Sequence, residues 1–323
     1  MMGRLGNVLL RLLGLLILVG AIGAAAFRAP DRSLESLVAR WAPAPSDFIE
    51  LKVDGATQLV HLRDEGPRAD LHPIVLLHGT SASLHTWEGW VRALKSERRV
   101  ITVDLPGFGL TGPNASGDYS DAQYLRFVGA LLDHLQLDSV VLGGNSLGGE
   151  IAWEFALQAP LRVSALILVD AGGLAFTPQS VPLGFTLARL PVLRELMREL
   201  LPRQLIERSV RSVYGDPDKV SAPLVDRYFE LTLREGNRAA LLQRAKQMEP
   251  GQYADRLSTL KQPTLILWGG RDRLIPPDSA QIFRREIAGS RLVTFDELGH
   301  VPQEEDPART VAAVQDFLKT LGP

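Results

Sequence analysis

Short apolar runs alternate with longer amphipathic runs along most of the chain after residue 46. The apolar runs are continuous, as in strands that are buried on both faces of a parallel sheet. The amphipathic runs between them have the length and spacing of helices. Right-handed crossovers between such elements predict a doubly wound α/β fold with a mostly parallel sheet. The predicted strands are 73–77, 100–103, 139–142, 165–169, 264–268 and 292–295, and the predicted helices are 84–95, 121–135, 147–158, 278–287 and 308–321.

Two segments depart from this alternation. Residues 48–53 and 58–62 flank Asp54-Gly55, a pair that favours the positive φ angles of a tight turn, so a hairpin is expected there. Between residues 170 and 264 we find no clear strand, and the pattern predicts helices interrupted by proline and glycine. We interpret this stretch as a helical cap inserted over the carboxyl ends of the strands. The predicted cap helices are 183–201, 205–213, 223–234 and 238–248.

These patterns divide the chain into four parts. Residues 47–175 and 257–323 are expected to form the α/β core, and residues 176–256 the cap. Residues 29–46, which include the stiff run Trp41-Ala42-Pro43-Ala44-Pro45, are predicted to be a linker. Residues 1–28 form an apolar N-terminal segment.

The N-terminal segment is uncharged from Leu12 to Phe27. Such a run spans about 24 Å as a helix, and it reaches the thickness of a bilayer core if it is counted from Val8 with Arg11 extended toward the headgroups. We expect a membrane anchor, with a cleaved secretory signal as the alternative because Ala24-Ala25-Ala26 fits a cleavage site. Arginines on both sides leave the positive-inside rule undecided. The order of charged, apolar and small residues resembles an export signal, so the folded domain is expected outside the cytoplasm.

Charge and cysteine content exclude several functions. Lys and Arg number 35 against 37 Asp and Glu, which leaves no excess positive charge for nucleic-acid binding. The chain has no cysteine, so disulfides, thiolate catalysis and cysteine-ligated metals are excluded. We expect neither a metal nor a cofactor.

A nucleophile motif lies between the predicted strand 139–142 and the predicted helix 147–158. Gly144-Asn145-Ser146-Leu147-Gly148 has the form G-x-S-x-G, which places a serine on a sharp turn between a strand and a helix. The glycines allow the strand and the helix to approach each other. The free N–H groups at the start of the helix then point toward any anion that forms beside Ser146.

A serine nucleophile needs a base and a group that orients the base. Asp272 and His300 each follow a predicted strand, and the carboxyl ends of such strands meet at one crevice of the sheet. We therefore predict Ser146, Asp272 and His300 as the catalytic residues. Asp170, which ends another strand, is the rival acid.

None of the other histidines is predicted to be the catalytic base. His61, His72 and His134 are expected on the surface. His85 could approach the site entrance, although a structural role is the commoner outcome.

Two backbone N–H groups are expected to bind the oxyanion. One belongs to Leu147, which follows the nucleophile, and the other to Thr80, in the loop His78-Gly79-Thr80 after an early strand. The turn at residues 104–109 is interpreted as structural and not as a dinucleotide-binding loop.

With these motifs the sequence resembles the α/β-hydrolase family, in its cap-bearing branch with a serine nucleophile. The resemblance covers residues from about 48 to the end, and it implies a cap that selects the substrate. Ser146 argues against haloalkane dehalogenases and epoxide hydrolases, which carry aspartate there. Gly144-Asn145-Ser146 is similar to hydrolases of carbon–carbon bonds, but those enzymes tend to have tryptophan where this chain has Val301.

The sequence therefore predicts a serine hydrolase that cleaves carboxylic esters through an acyl-enzyme. Two alternatives remain open. The first is a carbon–carbon bond hydrolase of ring-cleavage products, and the second is a ligand receptor without catalysis, because a fold alone never determines function.

Overall fold

The computed structural model describes residues 7, 10–15, 18, 23, 25–175, 177–182, 186 and 199–322. An eight-stranded sheet runs through its centre in the order β1-β2-β4-β3-β5-β6-β7-β8. β2 pairs antiparallel with β1 and β4, and all the other pairs are parallel. The predicted fold class is confirmed. The strands are β1 (Ser46–Val53), β2 (Ala56–Glu65), β3 (Ile74–Leu77), β4 (Val100–Val103), β5 (Val140–Asn145), β6 (Val163–Val169), β7 (Thr264–Gly269) and β8 (Arg291–Phe295).

Helices cover both faces of the sheet, and three more form the described part of the cap. The core and N-terminal helices are α1 (Leu34–Trp41), α2 (Glu88–Leu94), α3 (Asp121–His134), α4 (Leu147–Gln158), α8 (Asp278–Glu286), α9 (Pro302–Glu305) and α10 (Pro307–Leu318). The cap helices are α5 (Arg203–Val213), α6 (Ala222–Thr232) and α7 (Asn237–Gln247). Short 3₁₀ helices occur at Leu84–Trp87, Pro160–Arg162, Pro217–Lys219, Ala254–Thr259 and Lys319–Leu321.

The hydrophobic core is divided by the sheet into two layers. Strands β3, β4 and β5 are buried along their whole length, as their continuous apolar runs predict. Trp87 and Trp90 are fully buried under one face, where the Trp90 indole N–H donates to Thr310 Oγ1 of α10 at 2.9 Å. Burial of each such large side chain contributes about 1.5–3 kcal/mol, so the sheet is a rigid base for the loops at its edge.

The predicted hairpin is present between β1 and β2. Asp54 and Gly55 have φ angles of 50° and 81°, the positive values that this two-residue turn requires. The predicted helix 84–95 begins instead as a 3₁₀ turn and becomes α-helical only from Glu88.

The segment 29–46, predicted as a linker, departs from that expectation because it contains α1. Leu37 of α1 is fully buried and packs against Leu110 and Leu231. The prolines that suggested a stiff spacer lie after this helix. Upstream, Ala29 donates its N–H to the carbonyl of Glu199 at 2.8 Å, which joins the segment to the cap.

Much of the predicted N-terminal anchor and of the predicted helix 183–201 lies outside the described residues. Residues 10–15 are helical, and the leucines among them are more than half exposed. No helix formed by the described residues has the length and apolar character that a membrane span requires.

Candidate active site

Ser146 occupies a strained turn between β5 and α4. Its φ and ψ angles are 54° and −117°, a conformation that costs a residue with a side chain about 1–3 kcal/mol. Close packing maintains the turn, since a Cβ atom on Gly148 would lie 2.1 Å from the carbonyl oxygen of Leu77. The serine therefore stands at the carboxyl end of the sheet, where the G-x-S-x-G spacing places it.

Asp272 and His300 meet at the same edge, in the loops after β7 and β8. His300 Nδ1 lies 2.6 Å from Asp272 Oδ2, and both side chains are buried. The other oxygen of Asp272 accepts the N–H groups of Leu274 and Ile275 at 2.8 and 3.0 Å. Because the carboxylate accepts, Nδ1 of His300 carries the proton, and Nε2 is the basic nitrogen.

Ser146 and His300 line one cavity together with Gly79 and Thr80 of the loop after β3. A Cβ atom on Gly79 would lie 3.0 Å from that of Ser146, so glycine lets this loop approach the serine. Leu147 is the first residue of α4, and its N–H is among those with no partner inside the helix. The two predicted oxyanion donors thus belong to the loop after β3 and to the first turn of α4.

Asn145 is a site residue that the sequence reasoning missed. Its Nδ2 donates to the carbonyl oxygens of Val169 and His300 at 3.1 and 2.9 Å. The residue before the nucleophile therefore fixes the loop that carries the base. The only sign of this role in the sequence is that an apolar run typical of a buried strand ends in a polar residue next to Ser146.

The cavity has a volume of about 160 Å³. Its floor contains Ser146 and His300, and the cap contributes a wall of aliphatic side chains. That wall includes Leu201, Leu205, Ile206, Val210, Leu241 and Leu242. The cap also binds the histidine loop directly, since the N–H of His300 donates to the carbonyl of Val213 at 2.7 Å.

Asp170, the rival acid, does not take the partner position of His300. Its Oδ1 accepts the N–H of Gly269 at 2.9 Å, and the side chain is fully buried. Burial, together with the neighbouring carboxyl of Asp272, raises the pKa of Asp170 well above its usual range.

Three of the remaining histidines, His61, His78 and His85, are buried, and His61 differs from the expectation. His61, expected on the surface, has its Nδ1 2.7 Å from Asp104 Oδ2 and its Nε2 2.9 Å from Ser46 Oγ. Nε2 of His85 lies 2.8 Å from the carbonyl oxygen of Trp41, and burial lowers the pKa of His85 to about 4. His61 and His85 therefore connect elements of the fold.

Two groups among the described residues place three possible metal donors within 4.8 Å of one another. One consists of Asp170, Asp272 and His300, and the other of Asp121, Glu150 and Glu154. In the second group Nη2 of Arg244 already lies 2.7 Å from Asp121 Oδ1 and 3.6 Å from Glu150 Oε2. This guanidinium occupies the position in which a cation would bind.

Comparison with known proteins agrees with this geometry. The profile of a family described as alpha/beta hydrolase fold matches residues 72–307. An uncharacterised protein of Mycobacterium tuberculosis is 32% identical over 305 residues, which cover 87% of this chain and 83% of that protein.

Two further proteins have named activities. A 2-hydroxy-6-oxononadienedioate/2-hydroxy-6-oxononatrienedioate hydrolase of Klebsiella pneumoniae is 31% identical, covering 85% of this chain and 96% of its own. The structure of a thermophilic esterase from Thermogutta terrifontis superimposes with a TM-score of 0.71 at 26% identity, over 86% of this chain and all of that one. With the sheet order and the turn at Ser146, these matches show that the chain is a hydrolase and belongs to the α/β-hydrolase family.

Proposed function

We propose that this protein is a serine hydrolase that cleaves carboxylic esters with a short apolar acyl group. The observation that carries the proposal is the aliphatic cavity that opens onto Ser146 and His300. Burial of apolar surface there would provide the binding free energy. A reactive carbonyl would then lie at the polar floor of the cavity.

The positions of the side chains support the following reaction. His300 Nε2 accepts the proton of Ser146, whose Oγ attacks the ester carbonyl, and the N–H groups of Thr80 and Leu147 bind the oxyanion. His300 then protonates the leaving alcohol. Water then enters and loses a proton to His300, and the resulting hydroxide attacks the acyl carbonyl. As the bond to Ser146 Oγ breaks, His300 returns the proton to Oγ and the acid is released. Asp272 holds the imidazole in the required tautomer and stabilises its cation throughout.

The charge of the cavity favours an ester over a dicarboxylate. A dicarboxylate substrate, such as the one named for the Klebsiella relative, requires cationic partners in the cavity. Apart from His300, Arg238 is the one cationic side chain among the described lining residues. Its Nε lies 3.1 Å from Asp31 Oδ1, so its charge is already paired.

The size of the cavity suggests the length of the acyl group. An apolar protein cavity of about 150 Å³ holds one benzene molecule, and the cavity here is about 160 Å³. We expect acyl chains of about four to six carbons to bind best. Leu205→Ala should shift the preference toward longer chains, because it removes part of the aliphatic wall.

The test is hydrolysis of p-nitrophenyl esters that differ only in acyl length. We expect kcat/KM to be highest for the butanoate or hexanoate and to fall for the hexadecanoate. Ser146→Ala should abolish turnover and labelling by a fluorophosphonate, with its circular dichroism spectrum unchanged. Ser258→Ala, an exposed serine, is the matched control and should retain both. Full activity of Ser146→Ala would refute the proposal.

A carbon–carbon bond hydrolase is the second candidate, because the 31% identical relative acts on such substrates. The same enzyme preparation should be offered 2-hydroxy-6-oxononadienedioate. Turnover faster than that of every ester would establish this candidate instead. A receptor without catalysis would neither turn over a substrate nor label at Ser146.

We also infer that the N-terminal segment holds the enzyme at a membrane, with the catalytic domain outside the cytoplasm. The support is the apolar sequence of residues 12–27 and the exposure of Leu10, Leu12, Leu13 and Leu15. Fractionation of cells that express the full chain tests this inference. We expect the activity to be in the membrane fraction and to be lost when protease is added outside the cytoplasm. Activity in the soluble cytoplasmic fraction would contradict the inference.

A further inference from the structure

Asp170 directly follows β6 and lies beside the pair formed by Asp272 and His300. Its backbone has a φ of 43°, and its side chain is fully buried. Oδ1 accepts the N–H of Gly269, whereas Oδ2 has no hydrogen-bond partner among the described residues. A buried carboxylate with one unpartnered oxygen carries a large desolvation cost. A proton on Oδ2 removes the charge and turns that oxygen into a donor.

The titratable groups that lie beside Asp170 in the described part of the chain are Asp272, His300 and Glu305. An oxygen of Asp170, an oxygen of Asp272 and a ring nitrogen of His300 lie within 4.8 Å of one another. Glu305 of α9 is the third titratable group nearby, and it accepts the N–H of Gly299 at 2.8 Å. Asp272 accepts three hydrogen bonds, two from backbone amides and one from His300. Asp170 accepts one, from the backbone amide of Gly269. The proton therefore belongs on Asp170, and burial and Asp272 raise the pKa of that carboxyl accordingly.

We propose that Asp170 is a positioning residue, a neutral carboxylic acid that donates its Oδ2–H to Asp272 and holds that carboxylate toward His300. The role rests on the proposed function, in which Asp272 orients the base. A neutral donor fixes Asp272 and leaves one negative charge beside the imidazole. A second ionised carboxylate would stabilise the imidazolium and keep the base protonated to a higher pH.

The first measurement is the pH dependence of kcat/KM for Asp170→Asn. The amide keeps the neutral charge and a donor toward Asp272, so the pH at which activity falls on the acid side should be unchanged. If Asp170 is ionised in the native chain, the substitution removes a negative charge near His300. The acid limb would then move to lower pH by about two units, for an effective dielectric constant near 20. That downward shift would overturn the proposal.

The second measurement is infrared spectroscopy, which detects the C=O stretch of a protonated carboxylic acid apart from the carboxylate bands. The difference spectrum at pH 7 between the native chain and Asp170→Asn should show the loss of one such band. Asp296→Asn, an exposed aspartate in the neighbouring loop, is the control and should lose only carboxylate absorption. Loss of a carboxylate band in Asp170→Asn would refute the neutral state of Asp170.

The two measurements separate this proposal from the proposed function. If the chain hydrolyses no ester, the infrared result still decides the charge of Asp170. If Asp170→Asn fails to fold, Asp170→Ala replaces it in both measurements. The alanine variant lacks the donor to Asp272, so kcat should fall at least tenfold and the acid limb should move to higher pH. A shift to lower pH in this variant also contradicts the proposal.

Discussion

Replacing Glu154 with glutamine should stabilise the fold by an amount that grows with pH. Glu154 lies on α4, one turn after Glu150, and its side chain is almost entirely buried. Donor oxygens of Glu154, Glu150 and Asp121 lie within 4.8 Å of one another. Burial raises the pKa of Glu154 to about 9, and the charges of Glu150 and Asp121 add to the effect, which Arg244 opposes.

Proton linkage gives the magnitude. The ordinary pKa of glutamate, 4.5, applies to the unfolded chain, whereas the folded state holds the proton up to about pH 9. Between these values unfolding releases a proton, so the free energy of unfolding falls by about 1.4 kcal/mol per pH unit as pH rises. Below pH 4.5 both the folded and the unfolded chain hold this proton, so the free energy of unfolding is not lowered. Glutamine resembles the protonated acid but has no proton to release, so Glu154→Gln should gain about 3 kcal/mol at pH 7.

The assay is urea-induced unfolding, followed by circular dichroism at several pH values from 5 to 9. The difference in unfolding free energy between Glu154→Gln and the native chain should rise steadily across this range. Glu50→Gln, at an exposed position of β1, is the matched control and should show no such slope. A difference that stays constant with pH would refute the reasoning, since it would mean that Glu154 is ionised in the folded state.

Two further substitutions test close contacts in the fold, and a third serves as a control. Gly148→Ala should prevent formation of a soluble folded protein, because the new Cβ would lie 2.1 Å from the Leu77 carbonyl oxygen; recovery of a protein with native melting temperature would contradict this. Gly129→Ala is its control on α3, where a Cβ meets only an ordinary contact, and should raise stability by about 0.5–1 kcal/mol in a thermal melt. Arg227→Met should cost about 3–5 kcal/mol in urea unfolding, because it leaves the buried Glu304 without its cation; a cost near zero would show that the pair is unimportant.

The elements that can be predicted from the sequence are those whose signals are local. Each strand of the parallel part of the sheet is predicted by a continuous apolar run. The predicted and observed ends of these strands differ by only a few residues. The predicted strand 139–142, for example, extends to Asn145 in the structure. Gly143 and Gly144 have low strand propensity, so the pattern stops early there, but pairing with β6 on one side and β3 on the other continues the strand.

The features that could not be predicted depend on contacts between distant parts of the chain. The helix α1 was obscured by the prolines that follow it, and Leu37 is buried by Leu110 and Leu231, which lie far along the sequence. His61 gives no local sign that Asp104 will bind it. The bond from Asn145 to the carbonyl of His300 joins residues 155 positions apart. Periodicity contains no information about such pairs.

The structure distinguishes the two candidate acids, Asp170 and Asp272, by the hydrogen bonds that each of them accepts. Asp170 and Asp272 both follow parallel strands, and β6 and β7 are neighbours, so the strand pattern alone makes both residues candidates for the acid. The loop after β7 turns back so that the amides of Leu274 and Ile275 bind one carboxylate oxygen of Asp272. The other oxygen is left to His300, whereas Asp170 is already bound to the amide of Gly269. Backbone donors thus decide which acid is charged, and the acid with fewer donors becomes the one that must keep a proton.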